Sequence, residues 1–177
     1  GTWSTTAVAS IDGPSGSAFG LSVSMTDRFA IVGACGANKA FVYARDASTG
    51  AWGTTAAATF TGPAGSTKFG FDVWISDSYA IVGTTNWGTG GTPSNTAYIY
   101  ARDEATGTWG TAAVAPLTDY TNQANFGRGV AIHGSYALVG AKTAKTAYLF
   151  SLACPLGAYR EGSSCISCAA GSYREGR

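Results

Sequence analysis

The segment Phe69-Gly70-Phe71-Asp72-Val73 alternates large apolar positions with small or polar ones, and Tyr79-Ala80-Ile81-Val82-Gly83 follows it. This pair of segments occurs three times. Upstream it reads Phe19-Gly20-Leu21-Ser22-Val23 with Phe29-Ala30-Ile31-Val32-Gly33. Downstream it reads Phe126-Gly127-Arg128-Gly129-Val130 with Tyr136-Ala137-Leu138-Val139-Gly140. The step from the Phe of FG to the first residue of the IVG or LVG triplet is 12 each time (31 − 19, 81 − 69, 138 − 126). β-Branched and aromatic runs bounded by turn residues predict strands. A further strand follows at Ala40-Phe41-Val42-Tyr43, Ala97-Tyr98-Ile99-Tyr100 and Ala147-Tyr148-Leu149-Phe150. Its alternation places aromatics on one face and Val, Ile or Leu on the other. Thr26-Asp27-Arg28, Ser76-Asp77-Ser78 and His133-Gly134-Ser135 predict tight hairpins, with Asp and Gly taking the positive φ of two-residue turns. A first strand is predicted ahead of each FG segment. It runs from Trp3, Trp52 or Trp109 to an apolar residue eight positions later, Ile11, Phe60 or Leu117. No helical 3.6 period is evident.

The spacing defines repeats at about 3–51, 52–108 and 109–151. Phe19 to Phe69 is 50 residues and Phe69 to Phe126 is 57 (69 − 19, 126 − 69). The surplus of seven lies between Ile81 and Ala97, so one loop, 84–96, carries an insertion. Insertions in repeat proteins map to one exposed face, often the binding face. Four short strands in a unit of about 50 residues is the arithmetic of a propeller blade. The predicted fold is all-β: about three four-stranded antiparallel propeller-type blades forming a partial or open propeller, plus a small disulfide-stapled C-terminal segment.

Composition narrows the function classes. Only 12% of the 177 residues are charged and the net charge is +1, so there is no electrostatic footprint for nucleic acid. No apolar run approaches the roughly 20 residues that span a bilayer.

The recurring FG-x-x-V, IVG(A), aromatic strand and TG-x-W pattern resembles the FG-GAP repeat of integrin-α-type β-propellers. The likeness covers about residues 1–151 in three copies. Phe19, Gly20, Phe69, Gly70, Phe126, Gly127, Trp3, Trp52 and Trp109 are its structural repeat positions. Integrin-type repeats often carry an Asp-rich calcium loop. Here the hairpins offer Asp27, Asp77 and, in the third copy, no acid, against the six to eight oxygens Ca²⁺ takes. No metal site and no cofactor is expected.

A closed propeller has at least four blades, and three cannot close. Gly1-Thr2-Trp3 matches Gly107-Thr108-Trp109, so the array is expected to continue on its N-terminal side. It is expected to end after Phe150, where TG-x-W does not recur. Open strand edges and uncovered blade faces invite a partner, and one repeated head-to-tail contact that does not close makes a filament. The expected partner is protein, by self-association or through neighbouring repeats of a longer chain, with glycans second.

Residues 152–177 form a different module, expected to continue downstream. Gly-x-Tyr-Arg-Glu-Gly occurs at 157–162 and 171–176, and Cys154, Cys165 and Cys168 punctuate it. The pattern resembles the cysteine-rich repeats of ephrin-receptor-like and tumour-necrosis-factor-receptor-like ectodomains. Cys165-x2-Cys168 has zinc-ligand spacing but lacks a second ligand pair, so disulfides are the expectation. Cys154–Cys165 is the preferred bridge among the possible connectivities. Cys35 reads as a small hydrophobe in a blade.

No catalytic constellation emerges. His133 is the one histidine and stands on a hairpin turn, so neither a triad nor a His-based metal site can be built. Asp46 and Asp103 recur in Ala-Arg-Asp before the TG turn, which argues for turn capping. Asp72 is the one acid inside an FG strand and has no assigned role. Trp74 and Trp87 are the tryptophans the repeats do not share. With Asn86 they are the candidate ligand or partner contacts. O-Glycosylation of the many Thr and Ser residues is open. The expected function is that of a non-catalytic extracellular or cell-surface structural or adhesive module, a subunit or segment of an appendage or fibre. The alternatives are a glycan- or protein-binding propeller fragment using the 84–96 loop and, last, a propeller glycosidase.

Overall fold

The structure, a computed structural model, describes residues 2–66, 68–85, 95–118 and 125–152, together with the backbone of 158–161 and 164–167. Every regular element among them is a strand. The first sheet contains β1 (Phe19–Met25), β2 (Phe29–Ala34), β3 (Lys39–Ala44) and β4 (Ala58–Thr61), in that order and antiparallel throughout. The second repeats it with β5 (Asp72–Ile75), β6 (Tyr79–Gly83), β7 (Thr96–Ala101) and β8 (Ala115–Thr118). The third has three strands: β9 (Phe126–His133), β10 (Tyr136–Ala141) and β11 (Thr146–Ser151). A separate hairpin pairs β12 (Ala158–Glu161) with β13 (Ser164–Ser167). The fold is an open, propeller-like all-β array.

The strand order corrects one sequence expectation. The segments following Trp52 and Trp109 are the last strands of the preceding sheets and not the first strands of their own. β4 pairs with β3 and β8 with β7, led in by the bridges Arg45↔Trp52 and Arg102↔Trp109. The TG turn causes this. Gly50 and Gly107 sit at φ of 73° and 74°, and their amides donate to the carbonyls of Asp46 and Asp103. The chain therefore reverses tightly and runs back along the strand it has just left. The corresponding segment at Trp3 forms no strand.

The hairpin chemistry also differs from expectation. Asp27 and Asp77 do not take positive φ; only Gly134 does, at 53°. In the first two blades the hydroxyls of Thr26 and Ser76 accept the amide protons of Phe29 and Tyr79, holding a three-residue loop without left-handed backbone.

Within each blade the FG Phe folds over two aromatics of the third strand. Ring centroids lie 5.8 and 6.4 Å apart for Phe19 with Phe41 and Tyr43. They lie 5.8 and 6.3 Å apart for Phe69 with Tyr98 and Tyr100, and 5.6 and 6.2 Å for Phe126 with Tyr148 and Phe150. Edge and tilted geometries at these distances are favourable aromatic contacts. This aromatic face packs on the aliphatic face of the preceding blade, so the two main cores lie between blades. One joins Ile31, Val42 and Phe60 to Phe69, Val73 and Tyr100. The other joins Ile81 and Ala97 to Phe126, Val130 and Val139.

Candidate functional site: the inter-blade contact and its open ends

The contact between blades occurs twice, and its parts can be read from the motif upward. The Gly of FG has φ of 87°, 84° and 84° at Gly20, Gly70 and Gly127, a region that favours glycine. At Gly70 a side chain would meet the Lys39 carbonyl of the preceding blade at 2.1 Å, and at Gly127 the Thr84 and Thr96 carbonyls at 2.8 Å. Reciprocally, a side chain on Gly33 would meet the Gly70 carbonyl at 2.2 Å, and one on Gly83 the Gly127 carbonyl at 2.0 Å. The FG glycine of one blade thus nests against the IVG glycine of the blade before it, backbone on backbone. A side chain at Gly20 meets nothing within 4 Å, and one at Gly140 meets only Gly129 of its own sheet. Among the described residues, the first and third blades each leave one half of this contact unused.

Polar links reinforce the nesting. The Ser22 hydroxyl accepts the Val73 amide proton (3.1 Å) and donates to Asp72 Oδ1 (2.6 Å), and Ser24 accepts the Ile75 amide proton (3.2 Å). Asp72 Oδ2 accepts the Val130 amide proton at 2.7 Å. Asp72 therefore ties all three blades together, a role the sequence alone does not assign to it. Asn38 Oδ1 accepts the Phe69 amide proton (3.2 Å), and Asn95 Oδ1 that of Asn125 (3.1 Å). In the third blade the positions of Ser22 and Asp72 hold Gly129, and those of Asn38 and Asn95 hold Lys145.

Burial at equivalent positions shows what the blades cover. Val73 and Ile75 are 1% and 2% exposed, whereas their first-blade counterparts Val23 and Met25 are 65% and 64% exposed. On the other side Ile31 and Ile81 are fully buried, while Leu138 and Leu149 are 44% and 69% exposed. Tyr136, the counterpart of the buried Phe29, is exposed as well. A depression of about 240 Å³ lies on this third-blade face, lined by Trp74, His133, Tyr136, Leu138 and Leu149 among others.

Of the candidate contact residues, Trp74 is 45% exposed and borders that depression. Trp87 and Asn86 lie outside the described residues. So do Cys154 and Cys168, and of Cys165 only its place in β13, opposite Arg160, is described. Thr84 and Thr96 close the base of the insertion: Thr84 Oγ1 donates to the Thr96 carbonyl and accepts the Thr96 amide proton, each at 2.9 Å. Cys35 is a buried free thiol. Among the structural repeat positions, Phe69 and Phe126 are fully buried and Phe19 partly so. Trp109 is buried against Phe29 and Phe60, Trp52 is partly exposed, and Trp3 is fully exposed.

Asp46 and Asp103 serve turns. Asp46 Oδ1 accepts from the Ser48 and Thr49 hydroxyls and amides, and Asp103 Oδ1 from the Ala105 and Thr106 amides. The Ser48 hydroxyl, then the Thr49 amide, hold the Asp46 carboxyl well below the usual range. The Thr106 amide leads the same downward shift at Asp103. Arg45 and Arg102 donate to the carbonyls of Gly50 and Gly107. Burial pushes the Tyr100 phenol up, consistent with its stacking on Phe60 at 3.9 Å. Among the described residues no group of three or more His, Cys, Asp or Glu could hold a metal ion, and no helix is long and apolar enough to cross a membrane. In comparisons with known proteins, no family model and no curated protein matches the chain.

Proposed function

We propose that this chain is a non-catalytic structural or adhesive module of the extracellular space, built from FG-GAP-like repeats and working as one unit of a larger surface assembly such as an appendage or fibre. The observation that carries this reading is the pair of uncovered blade faces. Val23 and Met25 on the first blade, and Leu138 and Leu149 on the third, expose apolar side chains whose counterparts Val73, Ile75, Ile31 and Val42 are buried between blades. Contiguous exposed apolar surface of this kind marks sites of association. The polar groups support the same reading, because Asp46, Asp72, Asp103, Arg45 and Arg102 are all engaged in holding turns and blades. The extracellular setting rests on the resemblance of the repeats and of the Cys154, Cys165 and Cys168 tail. Antibodies raised against the chain test it on intact cells of its source. Labelling of a surface structure, with the antigen recovered at high mass after mild extraction, is the expected result. An intracellular antigen, or cleavage of any member of a polysaccharide panel, would overturn it.

A second reading, recognition of a glycan or protein ligand, draws on Trp74. Its ring is half-exposed beside an apolar depression, the arrangement that stacks on sugar faces. Titration of a glycan array with Trp74→Ala and Trp87→Ala variants separates the two readings: binding by the native chain, lost in either variant, favours this one.

A further inference from the structure

We propose that copies of this chain join head to tail by strand donation. Residues 9–12 of one copy add a fourth strand to the free edge of β11 in a second copy, and β1 of the first copy seats on the second copy's Leu138 face. This rests on the assembly reading above and supplies its partner and contact.

The slot is visible in the topology. The first two sheets have four strands and the third has three, leaving β11 at an edge among the described residues. In the other sheets the missing position is filled by the segment lying six to nine residues after a Trp, β4 after Trp52 and β8 after Trp109. The equivalent segment after Trp3 is residues 9–12. Residues 2–12 enter no strand; Trp3 is 98% and Val8 87% exposed. Among the described residues, one strand-length segment thus enters no sheet, and one sheet lacks the strand that segment's counterparts supply.

The register follows from the repeats. Ala58 opposes Val42 and Ala115 opposes Ile99, so Ala9 should oppose Leu149. Phe60 opposes Ala40 and Leu117 opposes Ala97, so Ile11 should oppose Ala147. The Ala57 amide donates to the Val42 carbonyl at 2.7 Å and the Val114 amide to that of Ile99 at 2.8 Å. The Val8 amide should take the same place on Leu149. The donated strand and β1 arrive together. After β4 and after β8 the next FG residue, Phe69 or Phe126, packs on the sheet just completed, and residues 13–18 hold the same place in the sequence before Phe19. Main-chain bonds along an open edge would supply affinity and the apolar face register.

The joint lacks two polar links of the interior contact, since Gly129 and Lys145 replace Asp72 and Asn95. It should therefore be weaker than the contact inside one chain. Joints of this kind that close on themselves make a ring, which in propellers holds four to eight blades; joints that fail to close make a filament. Both use this joint.

Sedimentation of the full chain in reductant, across a concentration series, tests it. The expected mass rises with concentration from 18.0 kDa to twice that value or beyond. Val8→Pro removes the donated amide from a segment outside every strand. It should leave the circular dichroism and melting of the single chain unchanged and weaken association at least ~10-fold. Gly129→Asp meets nothing within 4 Å and restores the acceptor Asp72 provides; it should tighten association roughly 10-fold. A chain that stays monomeric throughout, or a Val8→Pro variant that associates like the native chain, overturns the joint. A monomeric chain whose native antigen still sits in a high-mass surface structure would overturn this joint alone and leave the assembly reading standing.

Discussion

Replacing Gly70 by Ala isolates the inter-blade nesting, because Gly20 offers the same backbone without the neighbour. Both glycines are left-handed, at φ of 84° and 87°, so each substitution carries a similar conformational cost of about 1–2 kcal/mol. At Gly20 nothing else lies within 4 Å. At Gly70 the new methyl would stand 2.1 Å from the Lys39 carbonyl, against the 3.4 Å of ordinary contact. The obstacle is main chain, anchored by the Lys39↔Thr61 and Ala34↔Lys39 pairs, and cannot swing aside as a long side chain would. Relief requires opening the blades by about 1.3 Å (3.4 − 2.1). That loosens Val73 and Ile75, each worth about 1.5–3 kcal/mol when fully buried, and stretches the Ser22 and Ser24 bonds to their amides. Gly70→Ala should therefore cost about 4 kcal/mol or more, and Gly20→Ala about 1–2 kcal/mol. Urea unfolding read by tryptophan fluorescence, with both changes made in the Val8→Pro background so that association does not intrude, gives the comparison. Equal losses would refute the nesting and reduce the FG glycine to a turn residue.

Asp72→Ala leaves the Val130 amide without its acceptor and should cost about 1–3 kcal/mol in the same unfolding assay; a loss under about 0.5 kcal/mol would remove Asp72 as a link between blades. Trp109→Ala empties the site against Phe29 and Phe60 and should cost about 3–5 kcal/mol, while Trp3→Ala should leave the melting temperature of the single chain unmoved. The Asp46 carboxyl is held below its unfolded value of about 3.9, so its stabilisation is present above that pH and is lost as pH falls through the folded value. Melting of native chain and Asp46→Asn should accordingly differ by a constant amount from about pH 5 to 8 and converge in strong acid; a gap that widens on acidification would reverse the assignment.

What the sequence showed and what it hid divide along a physical line. Period-two alternation and turn residues are local, so the strands, their antiparallel order from FG to IVG to the aromatic segment, and the number of units were legible. The assignment of the Trp segment was not local. Nothing in Trp52 to Phe60 says which neighbour it hydrogen-bonds; the TG reversal at Gly50 decides that, and it sends the strand backwards. The same shift explains why three tryptophans in matching positions have different surroundings. Among the described residues, Trp109 packs on Phe29 and Phe60 of the first sheet, no sheet precedes that of Trp52, and Trp3 enters none. Repetition therefore specifies an environment only where a preceding blade exists to provide it. Asp72 shows the reverse case. As the one acid among repeat-equivalent Ser22 and Gly129 it looked incidental, yet the series Ser, Asp, Gly is graded in what each residue can offer the next blade. Ser22 has one oxygen and serves Val73 and Asp72. Asp72 has two and serves both neighbours. Gly129 has none and offers no acceptor at that place. A polar link that stops while the apolar face continues is what a reversible joint requires, since the retained surface gives register and the missing acceptor limits affinity.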